Sequence, residues 1–229
     1  MEKKYRTEPE DDMLRIIALK DFSDVKKGDK GGLIAREDNL SQDGDCWVYE
    51  DAMVSGHARI YENAKIYGKA CVSENAKIYN NARVYGTAWV SGHAYVKLNA
   101  EVYGDANVFG HALVSNFAKV SGNAQVYDNA KVYDCARICG NANVFGDAVI
   151  YHDACVSGKT QVYGFAKISG NVKLWSTYDT YITADSIENN KDYVILGIRD
   201  RFYIFPFLIT GIDYIKNLKT IRQLYGEEI

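Results

Sequence analysis

The sequence predicts an all-β solenoid, and two features carry that prediction. A six-residue rhythm runs without a slip from Cys46 to Thr177, and no proline falls inside it. When each hexad is numbered one to six from Cys46, position one is Ala in nineteen of twenty-two hexads; Cys46, Thr160 and Val172 are the exceptions. Position three is Val, Ile or Leu in all twenty-two, from Val48 to Leu174. Apolar residues at one and three around a variable two give the alternation of a short strand, two side chains inward and one outward. β-Branched Val and Ile at position three suit a pleated surface. Every glycine of the array stands at position five, from Gly56 to Gly170, where a sharp bend can use positive φ. Asn and Asp crowd position six, and both tolerate bends. A period of six does not hold one face of a 3.6-residue helix, so a helical array is excluded.

Hexads such as Ala88-Trp-Val-Ser-Gly-His93 and Ala118-Lys-Val-Ser-Gly-Asn123 resemble the hexapeptide repeats of left-handed parallel β-helix proteins. That resemblance implies three hexads to a triangular coil, left-handed winding, and about seven coils for this array. The segment from Gly31 to Ser41, leading into Gly44-Asp-Cys-Trp-Val48, resembles the N-terminal region of hexapeptide-repeat proteins encoded by phages and prophages. It implies a phage or prophage origin and, with that, the cytoplasm of a bacterial host.

Outside the array the chain reads as two small caps. Residues 1–45 contain a strand at Leu14–Leu19 and a turn from Val25 that enters a second strand ending at Ile34. Residues 46–177 are the β-helix. Residues 178–229 read as a hairpin, Tyr193–Ile198 with Phe202–Leu208 around Arg199–Arg201. A short α-helix follows, with Ile212, Ile215, Leu218, Ile221 and Leu224 on one stripe.

Composition narrows the function classes. The chain has 229 residues and a net charge of −3, which disfavours a dedicated polyanion binder. No apolar run approaches the length of a membrane helix, and the N-terminus lacks a secretory signal. The five cysteines, Cys46, Cys71, Cys135, Cys139 and Cys155, are odd in number and scattered, which suggests free thiols in a reducing compartment. They lack the paired spacing of a structural zinc site.

With three hexads per coil, residues eighteen apart stack. One column of outward position-four residues begins Tyr49, Tyr67, Tyr85, Tyr103; the next ends Phe109, Tyr127, Phe145, Tyr163. Such ladders stabilise stacked strands, and an exposed aromatic surface also suits an interface. The array holds twelve basic residues, nine of them at position two, and Lys65, Arg83, Lys119 and Arg137 share one column interrupted by Glu101. A basic and aromatic stripe can bind single strands of nucleic acid, but Glu101 and the acidic total weigh against it. His57, His93 and His111 occupy equivalent position-six sites, where turn chemistry accounts for them, and His152 stands alone at position five. The resemblance does not extend to the zinc-ligating or basic histidines of hexapeptide-repeat enzymes.

The reading is therefore a non-enzymatic, phage-type interaction protein. Its candidate surface is made of Tyr49, Tyr67, Tyr85, Tyr103, Phe109, Tyr127, Phe145, Tyr163, Lys65, Arg83, Lys119 and Arg137. A host defence system is one target compatible with that reading. No catalytic residue, metal or cofactor is expected, and the partners are an unidentified protein and further copies of the chain, as trimer or dimer. Two alternatives stand beside it: an acyl-coenzyme A-dependent acyltransferase, which the family resemblance implies but which lacks a projecting loop here, and a structural or assembly component of a phage particle.

Overall fold

The computed structural model describes residues 3–182, and beyond them the strands 193–198 and 201–206. The architecture is that of the left-handed parallel β-helix. Nearly every hexad contributes a two-residue strand at positions two and three, such as Trp47–Val48, Met53–Val54 and Arg59–Ile60. Each pairs in parallel with the strand eighteen residues on: Trp47 lies opposite Lys65, Met53 opposite Cys71, and Arg59 opposite Lys77. Three hexads therefore close one triangular turn.

Hydrogen bonding follows from that register. The position-four N–H of Tyr49 donates to the carbonyl of Ile66 at 2.8 Å, one coil on. The N–H of Ala52 instead closes a turn onto Tyr49 at 3.0 Å. Between these two lies position five, whose φ is positive at residues as different as Glu50, Leu98 and His152. At Gly86, φ is +75° and an added Cβ would stand 3.0 Å from the backbone of Gly104 on the next coil, so glycine fits both the bend and the close approach.

The interior is filled as the hexads require. Every position-one and position-three side chain from Cys46 to Leu174 is buried. Alanine at one leaves room for Val or Ile at three within a narrow triangular bore, and each layer repeats the last. Thr160 at position one keeps its hydroxyl satisfied by donating to the carbonyl of Ser157 at 2.8 Å.

The coil count exceeds the expected seven. Ile34 and Leu40 sit over Val54 and Ile60, and Ile182 lies opposite Val162, each pair twenty residues apart. All three side chains are buried. The solenoid thus begins before Cys46 and runs past Thr177, through two-residue insertions that a strict six-residue rhythm misses. These rungs bring it to about eight turns.

At the N-terminus, β1 (Tyr5–Glu10), β2 (Met13–Ala18) and β3 (Lys30–Ile34) form an antiparallel meander, and β3 then joins the first face in parallel. The expected strands correspond to β2 and β3. The added β1, Tyr-Arg-Thr-Glu-Pro-Glu, lacks apolar alternation, and its proline is tolerated because the strand pairs on one side only. Trp47 on the first coil is buried between Tyr5 and Phe22 of the N-terminal segment, with ring centroids 6.1 and 5.4 Å away. Lys4 is buried beside them; its ammonium donates to the carbonyls of Gly44 and Cys46 at 3.1 and 3.0 Å and lies 5.3 Å from the centre of the Phe22 ring. At the other end, Tyr193–Ile198 pairs antiparallel with Arg201–Pro206 and in parallel with Lys173–Trp175. The expected helix over 212–225 lies outside the described residues.

Candidate functional site

The three corners and faces carry different chemistry, each traceable to a hexad position. In the first position-four column the rings form two stacked pairs, Tyr49–Tyr67 at 4.5 Å and Tyr85–Tyr103 at 4.8 Å. In the second, Phe109, Tyr127, Phe145 and Tyr163 stack continuously at 4.8 to 5.1 Å with planes within 7° of parallel. The third column adds Tyr61–Tyr79 at 4.8 Å and Tyr133–Tyr151 at 5.3 Å, pairs that the sequence reading passed over although the same eighteen-residue spacing marks them.

Lys65, Arg83, Glu101, Lys119 and Arg137 do stand in one register column. Two of its four positive charges meet a carboxylate. Lys65 pairs with Asp24 from the N-terminal cap and lies 5.7 Å from the centre of the Tyr49 ring. Lys119 pairs with Glu101 at 3.2 Å, and Glu101 also accepts from the Tyr85 hydroxyl at 3.1 Å. The Lys65 ammonium and the Tyr49 hydroxyl hold the Asp24 carboxyl at about 2. Burial, helped by the Glu101 carboxylate, pushes Tyr85 up to about 12.

Position six holds hydrogen-bonded ladders that sequence reasoning took for bend residues alone. Asn63 donates to Asn81 at 3.2 Å, Asn81 to Asn99 at 3.3 Å, and Asn123 to Asn141 at 3.1 Å. Acidic residues at position five have a related task. Glu50 and Glu74 accept the N–H of the glycine one coil on, Gly68 and Gly92, at 2.8 and 3.0 Å. The rings of His93 and His111 stack at 4.9 Å and 16° as their column predicts. His57 instead meets Arg36, with Nδ1 3.2 Å from a guanidinium nitrogen.

Two clefts stand out among the described residues. One of about 560 Å³ lies by the first coils, between Glu37, Asp38, Gln42, Arg59, Tyr61 and Lys77. The other, of about 370 Å³, lies on a flat face between Glu74, Trp89, Ser91, Asn107, Phe109 and Gln125. Trp89 is 53% exposed there, its indole N–H donating to the Ser73 hydroxyl at 3.1 Å. The strands that line this second cleft run on, two residues later, into His93 and His111. Among the described residues, no group of three or more His, Cys, Asp or Glu side chains is placed to hold a metal ion. None of their helices is long and apolar enough to cross a membrane.

The repeats match a known family model, the YdcK beta solenoid repeat, over residues 76–92 and 136–152. A protein of Escherichia coli strain K12 named as the uncharacterized acetyltransferase YdcK is 41% identical over 61 residues. That match takes in 24% of this chain and 19% of the length of the relative. Among solved structures, a UDP-N-acetylglucosamine acyltransferase from Bacteroides fragilis, LpxA, superposes with a TM-score of 0.41 at 15% identity, over 83% of this chain and 80% of that one. The Arabidopsis UDP-N-acetylglucosamine acyltransferase gives 0.35 at 9% identity, over 86% and 77%. Both superpositions are loose. The chain carries a hexapeptide-repeat β-solenoid of the kind the family model describes.

These findings correct the expectation of a non-enzymatic, phage-type interaction protein directed at a host system. The relative that shares the repeats is named as an acetyltransferase, which favours the acyltransferase alternative. The rings stack on one another, and within the basic column Lys65 is met by Asp24 and Lys119 by Glu101.

Proposed function

We propose that the chain is an acyl-coenzyme A-dependent acyltransferase of the hexapeptide-repeat type, with the Trp89 cleft as the seat of the acyl donor. The observation that carries this reading is the 41% identity over 61 residues to a protein named as an acetyltransferase. The cleft supports it chemically. Trp89 and Phe109 offer aromatic faces to an adenine ring, and Ser91, Asn107 and Gln125 offer hydrogen bonds along a groove. The first segment matched by the family model ends at Gly92, on the strand and turn that present Trp89 and Ser91.

In this reading the His93–His111 pair supplies the base. An unprotonated imidazole takes the proton of an acceptor hydroxyl or amine as that atom attacks the thioester carbonyl, and the coenzyme A thiolate leaves. No loop projects from the array between Cys46 and Thr177, so the donor lies along the flat face or is shared with a second copy of the chain. A cytoplasmic homo-oligomer, trimer or dimer, belongs to the same proposal, and light scattering tests the assembly.

The test is calorimetric titration of the full chain with acetyl-coenzyme A. Saturable heat is expected, retained in the His93→Ala/His111→Ala double variant while acyl transfer is lost. No heat at millimolar ligand ends the reading.

A further inference from the structure

The cleft by the first coils lies on the strand column of Arg59 and Lys77, a different face from that of Trp89. Glu37 and Asp38, from the 3-10 turn Glu37–Asn39, form one wall. That turn is fixed from two sides. The Tyr5 hydroxyl reaches the carbonyls of Glu37 and Leu40 at 3.1 and 2.7 Å. The Asn39 amide donates to the carbonyls of Gly56 and Ala58 at 3.2 and 2.8 Å. The opening is therefore preformed.

Three chemical features meet in it. Arg59 and Lys77 stand in register on consecutive coils, two like charges one rise apart. Among the described residues neither forms an ion pair. The Lys77 ammonium lies 5.3 Å from the centre of the Tyr95 ring, a contact that brings no counter-charge. Like charges facing each other on neighbouring strands repel, so an anion shared between them is favoured. Tyr61 is the second feature. One of its faces stacks on Tyr79, with centroids 4.8 Å apart and planes 6° from parallel. The register position one coil before it is Ser41, whose N–H donates to the carbonyl of Ile60 at 2.9 Å, and serine brings no ring. Asp38 is the third. Its neighbour Glu37 is paired with Lys3 at 3.5 Å, whereas Asp38 forms no ion pair among the described residues.

We propose that this cleft binds free aromatic α-amino acids: the ring continues the Tyr61–Tyr79 stack, Arg59 and Lys77 hold the carboxylate, and Asp38 meets the ammonium. The site is independent of the acyl-transfer reading and uses none of its residues.

The charges select this class of ligand. A guanidinium accepts a carboxylate in a planar, two-bonded fork, and a neighbouring ammonium adds a point charge. A bare phosphate satisfies the two cations but leaves Asp38 facing a second anion; a ligand with its own ammonium answers all three groups. The ring supplies the remaining selectivity. A planar group set over Tyr61 at the coil rise of about 4.8 Å makes the contact that Tyr79 makes on the other side. A volume of about 560 Å³ lies within the range of small-molecule sites.

The experiment is calorimetric titration of the full chain with L-phenylalanine. L-Alanine, which lacks the ring, hydrocinnamate, which lacks the amine, and inorganic phosphate serve as comparison probes. Saturable heat is expected with L-phenylalanine, and binding about tenfold weaker for each of the other three. Arg59→Ala is expected to weaken L-phenylalanine about tenfold, and Tyr61→Ser to abolish the preference for it over L-alanine. Arg83→Ala, on another column, is expected to leave binding unchanged; circular dichroism confirms that each variant is folded. The probe comparison on the parent chain stands even if a variant fails to fold. No saturable heat at millimolar L-phenylalanine overturns the proposal. So does equal or tighter binding of L-alanine or phosphate, or binding that a folded Arg59→Ala chain retains in full.

Discussion

Tyr127 and Phe145, eighteen residues apart in the chain, lie face to face with ring centroids 4.9 Å apart and planes 1° from parallel. The spacing is set by the backbone. One coil rises by the separation of hydrogen-bonded parallel strands, about 4.8 Å, and identical hexad positions repeat at that rise. Side chains that tolerate stacking at this distance, aromatic rings and primary amides, accumulate into columns because each new coil offers the same contact.

The first prediction follows from that pair. In a double-mutant cycle on Tyr127→Ala and Phe145→Ala, denaturant unfolding should give a coupling of about 0.5 to 1.5 kcal/mol. Coupling indistinguishable from zero would show that the rings are merely parallel.

A second prediction concerns Leu98. It occupies position five with φ of 60°, a conformation that costs a bulky side chain about 1–2 kcal/mol, and it is 39% exposed. Asparagine tolerates that region, and at position 98 it would offer Asn116 the acceptor that Asn80 gives Leu98 at 3.2 Å. Leu98→Asn should therefore raise stability by roughly 0.5 to 1 kcal/mol in chemical denaturation. A loss of stability would mean that the Leu98 side chain makes a contact worth more than the strain.

Alkaline pH supplies a third. Burial pushes Tyr61 and Tyr85 up to about 12 from 10.0, and raises Tyr49, Tyr67, Tyr127 and Tyr133 in the same direction. Between those values the folded chain keeps phenolic protons that the unfolded chain releases, so stability is intact below pH 10 and is lost as pH rises toward 12. Lys4, held below 10.5 by burial, acts the other way as pH rises, but it is one group against seven phenols once the buried Tyr5, also raised, is counted. Thermal unfolding should be flat to about pH 9.5 and then fall, with tyrosinate absorbance appearing together with unfolding. A midpoint unchanged at pH 11.5 would contradict the buried-phenol account.

Much of the fold was legible because one six-residue unit encodes it repeatedly. Ala at one and Val at three name the interior, and the eighteen-residue spacing names each vertical neighbour, which is why the His93–His111 stack could be anticipated. What the rhythm could not show lies where it is interrupted. Ile34, Leu40 and Ile182 continue the bore at a spacing of twenty, and β1 is a strand held by pairing and by Tyr5, without amphipathic alternation. The Asn63–Asn81–Asn99 ladder was visible in the spacing and was passed over, because Asn at a bend already had an explanation. The Trp89 cleft was hidden for another reason: it depends on the sizes of outward side chains on three neighbouring coils, Trp89 and Ser91 beside Asn107, Phe109 and Gln125, and no single hexad reveals it.

The most direct test of the functional account is the affinity of acetyl-coenzyme A for Trp89→Ala compared with the parent chain. The substitution removes a half-exposed indole from a surface strand and leaves every interior position untouched, so the solenoid should remain folded by circular dichroism. If the donor stacks on Trp89, binding should weaken about tenfold, the loss expected for one aromatic stacking partner. Equal binding by the two chains would contradict the assignment of the cleft.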